Sequence, residues 1–229
     1  SHLPGLWFFP GGFGVTVFFF LSGFLITTLL RLEVEDAGRI DLLAFFGRRS
    51  LRIFPPYLLI LAGIWALAAA GAFRGAAVSV EPLLWQLGFA TNFWLVGHGA
   101  DQLPPGTEVY WSLAVEEHFY LVFPFVAIGL FRWVAPAARG PALLCACAAV
   151  LAWRVVLFTV LAPGDADRLT YATDARIDSI LFGCVLALMG NPVLDRPPAY
   201  VRHAGLALGA AGVGLVLTLI PREPAFRET

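Results

Sequence analysis

The sequence predicts an all-α membrane protein, a polytopic helical bundle, from three observations. The chain is 59% hydrophobic, has a mean hydropathy of +0.79 and carries only 14% charged residues, which is too apolar for a soluble domain of 229 residues. Several apolar runs are long enough to cross about 30 Å of hydrocarbon. Backbone polar groups in lipid must be satisfied internally, and these runs are too long for barrel strands, so we expect helices.

The apolar segments follow one another without a linker long enough to divide the chain. The long runs occupy residues 13–30, 55–73, 110–131, 142–162 and 203–220. Two shorter runs, 83–97 and 176–190, contain polar residues such as Asn92 and Asp178. We therefore predict a single membrane domain over residues 1–229 with about seven membrane segments. Because the chain does not begin with methionine, we expect a piece that is incomplete at both ends.

The composition argues against a nucleic-acid partner and against a metal site. The formal net charge is -1 and all fifteen basic residues are arginine, so an anion site has to come from local clustering. Cys145, Cys147 and Cys184 lie inside apolar runs, where a free cysteine behaves as a small hydrophobic residue. A C-x-C pair without a nearby histidine is a poor zinc site. We predict no metal and no bound cofactor.

The distribution of arginines predicts the orientation of the first segments. Five arginines fall between residues 31 and 54, whereas the next connector has Arg74 alone. Since basic residues concentrate in cytoplasmic loops, the 31–54 connector is predicted to be cytoplasmic, and His2 to lie near the opposite face. Beyond Arg74 two topologies remain open. If the run 83–97 spans, the later arginine-containing loops fall outside, and if it re-enters, they fall inside.

The stretch FFGRRSLRIFPPYLL places three arginines beside an apolar segment. If a helix begins just before its two prolines, Arg49 and Arg52 are at i, i+3 and Arg48 and Arg52 at i, i+4, so two guanidiniums can face one point. The prolines then suit a first helical turn or a break at the membrane boundary. Arginine binds phosphate oxygens bidentately, as a phosphorylated donor would require. The alternative is a basic flank against lipid headgroups.

Histidine 2 precedes a turn rich in aromatic residues, glycine and proline, LPGLWFFPGGFG. A histidine at a membrane interface can take a proton from a sugar or lipid hydroxyl as a general base. His2 is therefore a candidate catalytic residue. The alternative is an exposed residue near a chain end.

The stretch YWSLAVEEHFYLVFP puts Glu116, Glu117 and His118 about two turns into a predicted membrane helix. Ionisable residues at such depth are costly and normally face a cavity or a partner. Adjacent residues project about 100° apart, so the two glutamates cannot point the same way. One of them is expected to line a cavity and the other to pair with an arginine or reach the interface. Trp111 in the same stretch fits the aromatic belt that lies at membrane interfaces.

The stretch YATDARIDSILFGCVLALMG carries two aspartates on one helix face. Asp174 and Asp178 are at i, i+4, with Arg176 on another side. A helix start explains Asp174, since acids favour the first turn. Asp178 lies deeper, and Arg154 in an earlier apolar run is a plausible counter-charge.

These stretches together resemble the membrane-bound acyltransferase 3 family, bacterial O-acyltransferases that modify envelope glycans and some secreted small molecules. The matching pieces are the SH before the turn, PGGFGVTVFFFLSGFLIT, FFGRRSLRIFPPYLL, YWSLAVEEHFYLVFP and ATDARIDSILFGCVLA, in the family's order and at similar separations. The resemblance implies a bundle of about ten helices, acyl-CoA used from the cytoplasm and an acceptor hydroxyl modified at or across the membrane. It also implies that the run 83–97 spans.

The resemblance assigns roles to particular residues. His2 matches the family's essential histidine, and Arg49 and Arg52 match its cytoplasmic R-x-x-R motif. The remaining matches are the W-S-L-x-V-E-E segment with Trp111, Ser112, Glu116 and Glu117, and the later arginine and aspartate at Arg176 and Asp178. The chain departs from the family at His118, where members commonly carry glutamine, and in lacking most of the first helix and the last two.

We therefore expect an integral O-acyltransferase of the bacterial inner membrane that moves an acyl group, acetyl by preference, from acyl-CoA to a hydroxyl of a carbohydrate, a lipid-linked glycan or a secreted metabolite. Arg49 and Arg52, with Arg48 in support, would hold CoA phosphates. His2 would act as general base or transient acyl carrier, and Glu116 or Asp178 would orient it or the acceptor. The supporting residues would be Glu117, Arg176, Trp111 and Ser112. Two other classes remain open: a transporter or flippase without covalent chemistry, and a structural scaffold.

Overall fold

The computed structural model describes residues 11–73, 79–161, 163 and 165–195 of the chain. Within this part of the chain there are helices and no strand. The helices are α1 (Gly11–Ala37), α2 (Leu42–Ala69), α3 (Val80–Leu87), α4 (Thr91–His98), α5 (Tyr110–Trp133), α6 (Pro136–Val156, continued by a π-helical turn Leu157–Leu161), α7 (Ala166–Tyr171) and α8 (Thr173–Met189). Four of them, α1, α2, α5 and α6 with its π turn, are long and apolar enough to cross a membrane. The predicted all-α membrane fold is confirmed.

Two sequence predictions fall outside the described residues: His2 and the run 203–220. The chain also divides after Met189 into two compact units. In the second unit, the backbone N–H of Asn191 donates to the carboxylate of Asp195 at 2.8 Å and closes a turn.

The contacts along α1 fix the relative directions of the long helices. Near the start of α1, Thr16 contacts Arg176, and further along Arg31 contacts the carbonyl of Ala187, so α8 runs parallel to α1. Helix α5 is also parallel to α1, because Phe19 meets Trp111 and Ser22, one turn later, meets Glu116. Helix α2 is antiparallel to α5, with the pairs Phe46–Phe125 and Tyr57–Tyr110. We use "basic end" for the end of the bundle where α1 and α5 finish and α2 begins.

Helices α1 and α8 approach each other closely because each has a glycine against the backbone of the other. A Cβ built on Gly183 would collide with the backbone carbonyl of Phe20, and one on Gly23 would collide with the backbone of Ile180. Small residues at these positions allow two backbones to touch, which is how helices in lipid gain packing energy. This contact positions the polar side chains of α8 against those of α1.

The spanning helix that the resemblance implied for residues 83–97 is not present. Two eight-residue helices, α3 and α4, occupy this region and are joined at Gly88 to Ala90. Each is about 12 Å long at 1.5 Å per residue, too short for about 30 Å of hydrocarbon. Phe89 in the turn has a positive φ of 52°. Because α1 and α5 run the same way with antiparallel α2 between them, the short pair starts and ends at the same end of the bundle, and we call it the re-entrant hairpin.

Helix α2 starts well before the two prolines, although the i, i+3 spacing of Arg49 and Arg52 considered above is kept. Helix α2 begins at Leu42, capped by the Asp41 side chain on the N–H of Ala44 at 2.9 Å, and continues through Pro55 and Pro56 to Ala69. Proline has no N–H, so these residues cannot donate helical hydrogen bonds to the carbonyls of Leu51 and Arg52.

Candidate functional site

A cavity of about 380 Å³ between α1, α2 and α5 holds the polar residues that the sequence singled out. Arg49 and Arg52 of α2 both line it, so the two residues lie on the same side of the helix. Opposite them are Ser22 of α1 and, on α5, Glu116 and Tyr120. Apolar side chains complete the wall: Phe18, Leu21, Leu25, Ile53 and Leu113. We call this space the arginine–glutamate cavity.

Glu116 is held by two hydroxyl groups. Its side chain is 2% exposed, and Oε1 accepts hydrogen bonds from the hydroxyl of Ser22 and from the hydroxyl of Tyr120, the latter at 2.5 Å. Tyr120 lies one turn after Glu116 on α5, at the i, i+4 spacing that puts two side chains on one face. The carboxylate is therefore fixed on the cavity wall without needing an arginine as its direct partner.

The guanidinium of Arg49 packs on the aromatic face of Tyr120, 3.1 Å from the ring centroid. This is a cation–π contact, which stabilises a cation where few counter-charges are available. The buried Nε of Arg49 has no hydrogen-bond partner among the described residues. The charges of Glu116 and Glu117 both act on Arg49. Arg49 is thus anchored through its face, while donor groups of its guanidinium remain for an anion.

The structure places the third arginine elsewhere. Arg48 lies 3.6 Å from the carboxylate of Glu33 on α1, and its side chain is 65% exposed. It does not line the arginine–glutamate cavity. The assignment of Arg48 to donor binding remains a prediction, and its contact with Glu33 is the reason to expect a smaller part for it than for Arg49 and Arg52.

A second group of charges lies between α1, α6 and α8, and we call it the Arg154–Asp178 cluster. The predicted counter-charge is confirmed: Arg154 Nη1 lies 3.1 Å from Asp178 Oδ2, and Asp178 is 4% exposed. Arg176 donates to the hydroxyl of Thr16 at 3.1 Å. These residues border a cavity of about 580 Å³. Glu116 and Asp178, predicted to serve one reaction centre, therefore line two different cavities.

Three supporting residues have clear positions. Trp111 is buried, and its ring lies 5.8 Å from the guanidinium of Arg176, so it contributes to the second cluster rather than to an interfacial belt. Glu117 has a buried Oε1 without a hydrogen-bond partner among the described residues. Ser112 donates to the backbone carbonyl of Val109 at 3.1 Å, a bond within the first turn of α5.

A further ion pair lies at the start of α8, outside the four spanning-length helices. Arg168 of α7 binds both carboxylate oxygens of Asp174 at 2.6 Å, and the indole N–H of Trp153 donates to Asp174 at 2.7 Å. Burial by itself would raise the pKa of Asp174, but the hydrogen bonds from Arg168 and Trp153 outweigh it and hold this pKa below its usual value. Asp174 is therefore paired locally, and it is separate from the pairing of Asp178.

His118 ties the re-entrant hairpin to α5 and α8. Its Nδ1 lies 2.7 Å from the hydroxyl of Thr173, which accepts a hydrogen bond from the Asn92 amide at 2.9 Å. The imidazole also hydrogen-bonds the backbone of Phe89 and stacks on Phe93 at 5.5 Å between ring centroids. These contacts with Thr173, Phe89 and Phe93 give His118 a positioning role.

Sequence reasoning missed Ser22 and Tyr120, the two hydroxyl donors to Glu116. The i, i+4 spacing of Glu116 and Tyr120 was a usable signal for one of them. Nothing in the sequence points to Ser22, which comes from a helix 94 positions away. The two arginines and one glutamate of the cavity give it an excess of basic side chains between apolar walls. Such a cavity suits an anionic group better than a cation.

Comparison with known families gives the class of protein. The family described as acyltransferase domain, the acyltransferase 3 family, matches residues 1–226. The chain belongs to this family, which confirms the resemblance seen in its motifs.

Two relatives from Staphylococcus aureus illustrate the match. The chain is 30% identical over 196 residues to "O-acetyltransferase OatA" of strain NCTC 8325 / PS 47, covering 83% of the chain and 32% of that relative. It is 26% identical over 225 residues to "Putative O-acetyltransferase SACOL0978" of strain COL, covering 96% of the chain and 37% of that relative. The chain thus spans about a third of the length of these relatives. No solved structure matches it.

Proposed function

We propose that this chain is the membrane domain of an O-acyltransferase of the bacterial cytoplasmic membrane, and that it crosses the membrane several times. The donor is acyl-CoA, with acetyl-CoA favoured because the relatives are named O-acetyltransferases. The acceptor is a hydroxyl of an envelope glycan or of a related carbohydrate or secreted metabolite. The basic end faces the cytoplasm, where acyl-CoA is available, in keeping with the arginines near residues 31–54.

The observation that carries this proposal is the convergence of Arg49 and Arg52 on one cavity. Guanidinium groups bind phosphate oxygens through paired, charge-assisted hydrogen bonds. Arg49 has a buried Nε that no described residue satisfies, and a ligand phosphate can supply that partner. Glu116 is fixed by Ser22 and Tyr120, so it shapes the cavity wall beside Arg49 without occupying the donors of that guanidinium.

The overall reaction forms one ester and breaks one thioester. The acceptor oxygen bonds to the acyl carbonyl carbon, the carbon–sulfur bond breaks, and the hydroxyl proton ends on the CoA thiol. His2 acts as the general base or as a transient acyl carrier. Asp178, held by Arg154, orients His2 or the acceptor from the second cluster.

The donor site is tested by acetyl-CoA binding and turnover with the purified full-length protein in proteoliposomes. Arg49→Gln removes the guanidinium and is expected to weaken donor binding about tenfold or more, because hydrogen bonds to charged groups are strong. Arg49→Lys keeps the positive charge but loses the bidentate guanidinium fork. Its affinity for the donor should lie between those of the wild type and Arg49→Gln. Arg48→Gln should have a smaller effect. Unchanged donor affinity in Arg49→Gln combined with Arg52→Gln would remove these residues from the donor site.

The catalytic role of His2 has its own test. His2→Ala in the full-length protein should abolish transfer at unchanged membrane abundance and unchanged acetyl-CoA affinity. Transfer near the wild-type rate would exclude His2 from the mechanism.

A transporter or flippase is the second candidate, and one observation favours it. Transporters also use interrupted helices such as α3 and α4 and buried charges such as Arg154 and Asp178. Release of CoA separates the two functions. Glycan movement across vesicles without CoA release supports transport, and CoA release that depends on the acceptor supports acyl transfer.

A further inference from the structure

A separate basic cavity lies at the basic end of the bundle. It has a volume of about 390 Å³ and is formed where α1 ends and α5 ends. Its lining residues are Val34, Gly38, Arg39, Ile40, Ile128, Phe131 and Arg132. None of these residues lines the arginine–glutamate cavity. We call it the end cavity.

The two arginines of the end cavity have their charged groups available. Neither Arg39 nor Arg132 forms a hydrogen bond or an ion pair with another described residue. Of the nearby acids on α1, Glu35 is bound to Arg31 at 2.8 Å, and Glu33 contacts Arg48 and the N–H of Asp41. Asp36 is exposed and does not line the cavity. The cavity therefore presents positive charge.

The walls of the end cavity are held in place by the backbone. Gly38 has a φ of 70°, and its N–H closes α1 on the carbonyl of Val34 at 2.9 Å, which turns Arg39 toward α5. Arg139 donates to the carbonyls of Phe131 and Val134 at 2.9 and 3.0 Å and so fixes the last turn of α5. The cavity is thus a formed feature and does not depend on loose side chains.

A neighbouring tryptophan gives the depth of the end cavity. Trp133, the last residue of α5, is 78% exposed although it ends an apolar helix. Tryptophan concentrates at the headgroup level of membranes. This indicates headgroup depth for Arg132, next to it in sequence, while Ile128 and Phe131 supply the apolar part of the cavity wall.

We propose that the end cavity binds one anionic phospholipid, with its phosphate between Arg39 and Arg132 and the start of its acyl chains against Val34, Ile128 and Phe131. The positive charge matches a phosphodiester, and the arginine fork matches its oxygens. The apolar wall matches the start of the acyl chains. A soluble phosphate compound would use the arginines and leave that wall exposed to water. The site is independent of the proposed acyl transfer.

The test counts retained lipids by native mass spectrometry of the purified full-length protein, incubated with phosphatidylglycerol or with phosphatidylcholine of the same chains. The wild type should retain one more phosphatidylglycerol than Arg39→Gln combined with Arg132→Gln, with an affinity about tenfold or more higher. Arg39→Lys with Arg132→Lys, which keeps the charge, should be intermediate. Melting temperatures of the delipidated variants check folding. If the double variant is unstable, lipid retention is measured on the single variants instead.

Three results would overturn this proposal. The first is equal phosphatidylglycerol retention by the wild type and the double glutamine variant. The second is equal retention of phosphatidylcholine, which would mean that only the apolar wall binds. The third is displacement of the lipid by CoA or inorganic phosphate at the same arginines, which would make the end cavity a site for soluble phosphates. Because the readout is bound mass, none of these results depends on acyltransferase activity.

Discussion

The arginine–glutamate cavity and the Arg154–Asp178 cluster contain the same kinds of charge but use them differently. In the cluster, the buried carboxylate is paired directly with an arginine. In the cavity, Glu116 is satisfied by two hydroxyls, and Arg49 is stabilised by the ring of Tyr120. A paired charge mainly holds helices in place. A guanidinium that is anchored through its flat face on an aromatic ring keeps its N–H donors for a ligand. The cavity is therefore the better candidate for donor binding, and the cluster for positioning.

The largest expected effect on stability concerns the contact between α1 and α8, next to the Arg154–Asp178 cluster. Gly183→Ala would place a Cβ against the carbonyl of Phe20, so α1 and α8 must separate, at a cost of about 3 kcal/mol in the free energy of unfolding. Gly47→Ala is the matched control, since a Cβ there meets no atom within 4 Å and should be neutral or slightly stabilising. Unfolding in detergent measures both. Equal stabilities would show that the two helices are not in backbone contact.

The next prediction sets the two regions against each other. Asp178→Asn leaves the partly buried Arg154 without its counter-charge and should destabilise the protein by about 2 to 3 kcal/mol. Arg49→Gln should cost less, about 1 kcal/mol, because it removes a cation–π contact and the attraction of Glu116 and Glu117 but no ion pair in direct contact. Combining Asp178→Asn with Arg154→Gln should recover part of the loss. If Arg49→Gln proved as destabilising as Asp178→Asn, the functional contrast between the regions would fail.

His118 tests whether the re-entrant hairpin depends on one side chain. His118→Leu would leave the Thr173 hydroxyl and the Phe89 backbone without their partner and should cost about 2 kcal/mol. His118→Gln keeps a donor and an acceptor and should cost less. Hydrogen exchange of α3 and α4 would report the difference. Equal protection in the two variants would mean that the hydrogen bonds of His118 do not hold the hairpin.

Tyr120 separates its two roles in the cavity. Tyr120→Phe keeps the ring under Arg49 and removes one hydrogen bond to Glu116, so kcat/KM should fall by about tenfold, as expected for one lost hydrogen bond. Tyr120→Leu also removes the cation–π contact and should raise KM for acetyl-CoA further. Steady-state kinetics of the full-length protein measures both values. Indistinguishable kinetics in the two variants would show that the ring does not position Arg49.

The smallest expected effect depends on pH. The pKa of Asp174 is held below its usual value, so its pairing with Arg168 stabilises the protein above the usual aspartate pKa and is lost as the pH falls through the lowered one. Asp174→Asn should therefore cost about 1 kcal/mol or less near pH 7, because the pair is partly solvent-screened. The difference from the wild type should vanish in acid. A difference that persisted in acid would indicate a packing effect instead.

Composition and motifs determined much of this protein by themselves. Apolar runs require helices in lipid, so the all-α bundle and the long helices α1, α5 and α6 follow from the sequence. Helical spacing was enough to put Arg49 and Arg52 on one side of α2, where both line the same cavity, and the motifs were enough to identify the family. These conclusions rest on local periodicity, which a sequence displays directly.

Only the tertiary structure decided what lies opposite these side chains. Hydropathy cannot distinguish one spanning helix from two short ones, so the α3–α4 hairpin and the passage of α2 through its prolines had to be seen. The pairing of Glu116 with Ser22, and its separation from Asp178, depend on which helices are neighbours. Neighbours are fixed by long-range packing, here the glycine contact of α1 with α8, and spacing along one helix carries no information about the helix that faces it.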